Sequence, residues 1–166
     1  RHPAADLRAP GRRPGVPGMT DADEPATAPE PERRMRLLGL HHVTLISRDL
    51  EATTAFYRDT LGLTLVREGT NDDDPGVRHF WFGDAAGTPG TLVTFLEYPA
   101  MGQGTVGVGS THHLAFSVAS GAELDAWRSY LVDRGVSCTE VLVRGGLRSI
   151  YLRDPDGHVV EIVTPA

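Results

Sequence analysis

From Leu37 onward the chain alternates two patterns: short runs in which every second residue is apolar, and two longer runs in which apolar residues recur every three or four positions. The first pattern predicts half-buried strands and the second amphipathic helices. His41–Ser47 reads as a strand, Asp49 as the N-cap of a helix through Leu61, and Gly62 as its stop, because a carboxylate accepts from free N–H groups while glycine tolerates the left-handed turn that ends a helix. Three strands are then expected, at about Leu63–Glu68, Val77–Phe82 and Thr91–Tyr98, separated by the turn-rich segments Asn71–Gly76 and Asp84–Gly90. The pattern restarts with a strand over Thr111–Val118. Ser120 and Glu123 form a capping-box pattern before a helix that presents Leu124, Trp127 and Leu131 on one face and stops at Gly135. Strands near Cys138–Val143, Leu147–Arg153 and His158–Val163 complete the set, the last two joined by the turn Asp154-Pro155-Asp156-Gly157.

Each half therefore reads βαβββ, and the halves repeat in detail. The pairs His41-His42 and His112-His113 open equivalent strands, and His42 to His113 and Phe56 to Trp127 are both separations of 71 positions. Matching spacing at a strand and at a helix indicates a duplicated unit. The expected fold class is α+β: two tandem βαβββ modules, about 37–100 and 109–166, forming a partly closed mixed sheet around a shared site.

Residues 1–36 break this pattern. They are rich in Pro, Ala, Arg and Glu and lack apolar periodicity, so a disordered tail is expected, and removing it is expected to leave the fold intact. Met19 and Met35 are candidate natural starts. A formal net charge of -6 with scattered basic residues argues against nucleic acid or an anionic membrane as a partner. No apolar run is long enough for a membrane span, and the single cysteine, Cys138, cannot close an internal disulfide, so a cytoplasmic home is expected. All 16 basic side chains are arginines, which excludes lysine Schiff-base and phosphate-loop lysine chemistry. Gly102-Gln103-Gly104-Thr105-Val106-Gly107 matches a dinucleotide-binding spacing. It leads into a strand instead of a helix, so it reads as the linker between modules.

The histidine pairs carry the chemistry. A histidine within a strand is ordinarily a packing or surface residue, but two pairs at the same place in two copies of one unit bring His42 and His113 to related positions. Glu161, inside the apolar run Val159–Val163, is costly to bury without a cation. Two imidazoles and a carboxylate would leave coordination positions open, the facial arrangement of non-haem Fe(II) sites. The competing reading places Glu161 on a solvent face.

The segment Leu37–Ala166 resembles the vicinal oxygen chelate superfamily: glyoxalase I, fosfomycin-resistance thiol transferases, bleomycin-binding proteins and extradiol ring-cleaving dioxygenases. The resemblance rests on His42 before Asp49-Leu50, Phe56-Tyr57-Arg58 with Leu61-Gly62-Leu63, His113 in His-Leu-Ala-Phe-Ser-Val, and Asp154-Pro155-Asp156-Gly157 ahead of Glu161. It implies His42, His113 and Glu161 as metal ligands. Tyr151, ten residues before Glu161, is similar to the extradiol signature, and Arg144 with His112-His113 resembles the hydroquinone-type enzymes, which have four modules to this chain's two. The resemblance implies Tyr151, Arg144 and His112 as catalytic groups and His41, Thr44 and Phe95 as substrate-binding residues, Phe95 taking the place of the fourth glyoxalase ligand unless Glu97 does. The expected metal is Fe(II), with Mn(II), Zn(II) or Ni(II) as alternatives, and the expected partners are a small aromatic substrate, dioxygen and a second copy of the chain. The implied activity is ring cleavage of a hydroquinone or catechol. A glyoxalase-like isomerase or lyase, a thiol transferase, or a binding protein without catalytic metal stands as the alternative.

Overall fold

The computed structural model of the protein describes residues 36–166; residues 1–35, which hold the expected tail and both candidate starts, lie outside them. Two four-stranded sheets are formed. In the first, β1 (His42–Ser47), β2 (Thr64–Thr70), β3 (Arg78–Gly83) and β4 (Leu92–Glu97) lie in the order β1-β4-β3-β2. In the second, β5 (Leu114–Ser117), β6 (Leu142–Arg144), β7 (Leu147–Arg153) and β8 (Val159–Pro165) lie in the order β5-β8-β7-β6. The ladders are copies of one another: β1 runs parallel to β4 as β5 does to β8, and the remaining pairings are antiparallel.

Helix α1 (Leu50–Thr54) starts where Asp49 accepts hydrogen bonds from the amides of Glu51 and Ala52. It widens into a π turn over Ala55–Thr60, in which the Leu61 amide reaches back to the Phe56 carbonyl at 2.9 Å. That extra residue per turn lets consecutive side chains, Phe56 and Tyr57, both face the core. Helix α2 (Gly121–Asp133) is capped by Ser120, while Glu123 turns back to accept from the Ala119 amide. Gly62 and Gly135, at φ 76° and 73°, end the two helical segments as expected.

Alternation gives each sheet two unlike faces. The inner face of the first sheet presents Phe82, Val93 and Phe95 to Tyr57; that of the second presents Ile150, Leu152, Val160 and Ile162, which join Leu124 and Leu131 in the same continuous core. A polar knot ties the modules together. The Tyr57 hydroxyl donates to Asp154 Oδ2 at 3.0 Å, His158 Nδ1 lies 2.8 Å from the same oxygen, and Asp154 Oδ1 accepts from the amides of Asp156 and His158. Burial and the adjacent carboxylate push the Tyr57 phenol far above its ordinary range. The bond to Asp154 raises the His158 imidazole.

Two expectations change. The sheets do not merge into one partly closed sheet, because β1 and β5 each end a sheet with one edge unpaired among the described residues. The strand expected at Cys138–Val143 begins later, at Leu142; Cys138 makes only an isolated bridge to Leu152, where burial raises its thiol pKa. Among the described residues no helix is long and apolar enough to cross a membrane.

Candidate metal centre

The outer face of the second sheet gathers three of the expected groups. Pairing sets Ala115 beside Glu161 and Glu161 beside Tyr151, so the outward row of β5, β8 and β7 is fixed by register. His113, two residues before Ala115, projects on that same face. Its Nε2 lies 2.9 Å from Glu161 Oε2, while the Tyr151 hydroxyl donates to Glu161 Oε1 at 2.9 Å. Glu161 is only 6% exposed, and a carboxylate this buried needs a proton donor or a cation at each oxygen. Desolvation, then the hydrogen bond to Glu161, raises the Tyr151 phenol, so it stays protonated and able to donate.

Both histidine pairs adopt one geometry. His41 and His42 rings lie 5.2 Å apart at 87°, as do those of His112 and His113, with Nδ1 to Nδ1 distances of 3.0 and 2.9 Å. One nitrogen of each pair must donate and the other accept. A ligand imidazole that donates from Nδ1 keeps its Nε2 lone pair for a metal, so His41 and His112 sit where they can fix the tautomer and orientation of His42 and His113.

The His113–Glu161 pair suits a divalent ion in donor chemistry, one imidazole nitrogen and one carboxylate oxygen side by side. His42 does not complete it within the chain. Among the described residues the triad His42, His113 and Glu161 is not a group whose ligand atoms lie within 4.8 Å of one another; the group that meets that spacing is Asp49, Glu51 and Glu97. Within that acidic group Arg78 donates to both Glu51 and Glu97 at 2.6–2.8 Å, and Asp49 caps helix α1. His42 lies instead on the outer face of the first sheet, its ring 4.8 Å from that of Trp81. Thr44 shares that face and accepts from Thr94 Oγ1 at 2.9 Å. Arg144 ends β6, exposed, on the side of the sheet that bears Tyr151.

The structure places Phe95 away from these groups. It is wholly buried on the inner face, 4.7 Å from the ring of Tyr57, and Glu97 shares that face, bound by Arg78 and by the Leu50 amide. A shift of one residue along a strand exchanges its faces, and the residue of β4 that looks outward is Thr94. Thr94 pairs with Thr44 and Trp81 as Glu161 pairs with Ala115 and Tyr151. The ladder therefore puts a threonine, not Phe95 or Glu97, at the place in the first module that Glu161 occupies in the second. Trp81 and His79, whose rings lie 5.0 Å apart on this face, lie in a segment, His79–Asp84, that resembles the hydroquinone-type enzymes without marking either residue; the ladder register brings them forward.

The chain belongs to the Glyoxalase/Bleomycin resistance protein/Dioxygenase superfamily, whose sequence model matches residues 39–162. Within it, the chain is 45% identical over 111 residues to "Putative ring-cleaving dioxygenase MhqE" of Bacillus subtilis, covering 67% of this chain and 36% of that protein. It is 31% identical to the chlorohydroquinone/hydroquinone 1,2-dioxygenase of Sphingobium indicum, over 73% of this chain and 38% of that one. A crystal structure of a "putative dioxygenase" from Bacillus subtilis superposes with a TM-score of 0.71 at 36% identity, covering 76% of this chain and 40% of that one. The chain thus spans less than half the length of these relatives.

Proposed function

We propose that the protein is a metal-dependent ring-cleaving dioxygenase acting on a hydroquinone or catechol, with Fe(II) as its ion. The observation that carries this reading is the trio His113, Glu161 and Tyr151, which puts two ligand atoms and a phenol proton on one face within 2.9 Å contacts. The relatives named for ring cleavage and hydroquinone oxidation support the same class. His113 and Glu161 of one chain and His42 of a second copy would hold the metal, because His42 stands apart from the other two in a single chain. When bound, the ion would supply Lewis-acid and redox chemistry to a ring hydroxyl and dioxygen.

The protein groups do the rest. Tyr151, whose hydroxyl proton rests on Glu161, would turn that proton toward substrate oxygen as the carboxylate engages the metal and negative charge builds there. Arg144 brings a permanent positive charge to the same side of the sheet. His112 and His41 orient the ligand imidazoles and are placed to relay a proton through Nδ1.

Oxygen uptake after anaerobic loading with Fe(II), screened over hydroquinones and catechols, tests this directly. Tyr151→Phe is expected to lower turnover about a hundredfold or more with metal content intact, in line with about 2.7–4 kcal/mol for one lost oxyanion donor. Glu97→Gln, on the opposite face, is expected to leave turnover unchanged. An isomerase using Glu97 would reverse those two results, and a wild type that takes up no oxygen with any diol would refute the proposal.

A further inference from the structure

The outer face of the first sheet carries an ordered row that the ligand set does not use. Thr44, Thr94, Trp81 and Arg67 are in register across β1, β4, β3 and β2 and so share the face of His42. Trp81 is its centre: the rings of His42 and His79 lie 4.8 and 5.0 Å from it, and the Arg67 guanidinium carbon lies 5.7 Å from its centroid. In the duplicated ladder Trp81 holds the place that Tyr151 holds in the second module. The duplication has produced unlike faces, one with carboxylate and phenol, the other with threonine and indole.

The hydrogen bonds on this face have a direction. Thr94 Oγ1 donates to Thr44 Oγ1 at 2.9 Å and lies 3.0 Å from His79 Nε2. A hydroxyl has one proton, and that of Thr94 is committed to Thr44, so His79 supplies Nε2–H to Thr94 and keeps Nδ1 as a free acceptor. Thr44 in turn keeps its own proton free, two residues along the strand from His42. The row thus offers a donor beside the ligand histidine, a flat aromatic surface in the middle, and an acceptor beyond it.

We propose that this row is the second wall of the substrate site, on which the diol ring stacks against Trp81 and the far hydroxyl of a para-diol donates to His79, so that His79 selects hydroquinones over catechols. The inference rests on the dioxygenase reading and deepens it. An ortho-diol places both hydroxyls together at the ligand end and leaves nothing for His79 to accept, whereas the two hydroxyls of a hydroquinone point to opposite ends of the ring. Trp81 grips both classes by stacking. His79 distinguishes them.

The test is anaerobic titration calorimetry of hydroquinone and catechol into the metal-loaded full chain, alongside oxygen uptake. Trp81→Leu is expected to weaken both diols about tenfold, the loss of one stacked ring. His79→Leu is expected to weaken hydroquinone about tenfold, the loss of one hydrogen bond, and to leave catechol unchanged. Trp81→Phe, which keeps a stacking surface and folds if the leucine variant does not, is expected to retain most of the affinity. Unchanged affinity for both diols in both Trp81 variants overturns the wall, and equal weakening of both diols by His79→Leu overturns the selection, even while the wild type turns over. A wild type that binds diols with this pattern and consumes no oxygen supports the wall and overturns the dioxygenase reading; one that binds neither diol overturns both.

Discussion

Glu161 and Asp154 are both buried carboxylates, yet their surroundings give them different work. Every oxygen of Asp154 is taken by the protein itself, through Tyr57, His158 and two backbone amides, so it is a structural anchor. Glu161 faces outward beside His113 with one phenol donor, the setting of a ligand. The Asp154 contact raises the His158 pKa, which has a definite consequence for stability. A raised folded value means that the stabilisation is fully present below the ordinary histidine value of 6.5 and is lost as pH rises through the raised one. Melting temperature is therefore expected to fall through that window, and His158→Asn to flatten the profile; an unchanged slope in the variant would dissociate His158 from it. At this scale the sequence discloses His42, His113 and Glu161 as candidates, because repeat spacing and a charge in an apolar run are visible without coordinates, and Tyr151 through its resemblance to the extradiol signature. It does not disclose Trp81 or His79, whose meaning arises only from strand register.

Strand β4 shows how much an element can hide. Thr94 and Phe95 are neighbours in sequence and opposites in space: one carries the hydrogen-bond row beside His42, the other fills the core against Tyr57 and Phe82. Both are wholly buried, so apolarity alone cannot tell which faces the site. The resemblance points to Phe95 for the substrate wall, whereas pairing with Thr44 puts Thr94 on the outer face. Phe95→Leu is expected to destabilise the fold by about 1–3 kcal/mol, within the range for core truncations, while leaving diol affinity per folded molecule unchanged. Calorimetric unfolding and binding measured on one preparation separate the two; a large loss of affinity without loss of stability would return Phe95 to the substrate site. The helices were legible from their caps, Asp49 and Ser120, but the π turn after Thr54 was not, since its register departs from the period that apolar spacing reveals. The short β6 was misplaced for a related reason: Cys138–Val143 has strand composition, but only its end finds a partner strand.

At the scale of the whole molecule, duplication explains both what is present and what is missing. Two copies of one ladder give two outer faces, and the proposed ligands are divided between them, with His42 on the first and His113 and Glu161 on the second. In the proposed two-fold dimer a second copy would offer each outer face its complement, and such an arrangement would close two identical sites at once. Oxygen chemistry is expected where these faces meet across chains, and subunit mixing tests this most directly. His42→Ala and Glu161→Gln chains are each expected to show no oxygen uptake with hydroquinone. After the two are mixed in equal amounts and allowed to exchange subunits, half of the dimers carry one intact site, so about a quarter of wild-type uptake should return. A mixture that stays inactive beside an active wild type and demonstrated subunit exchange would contradict the shared site.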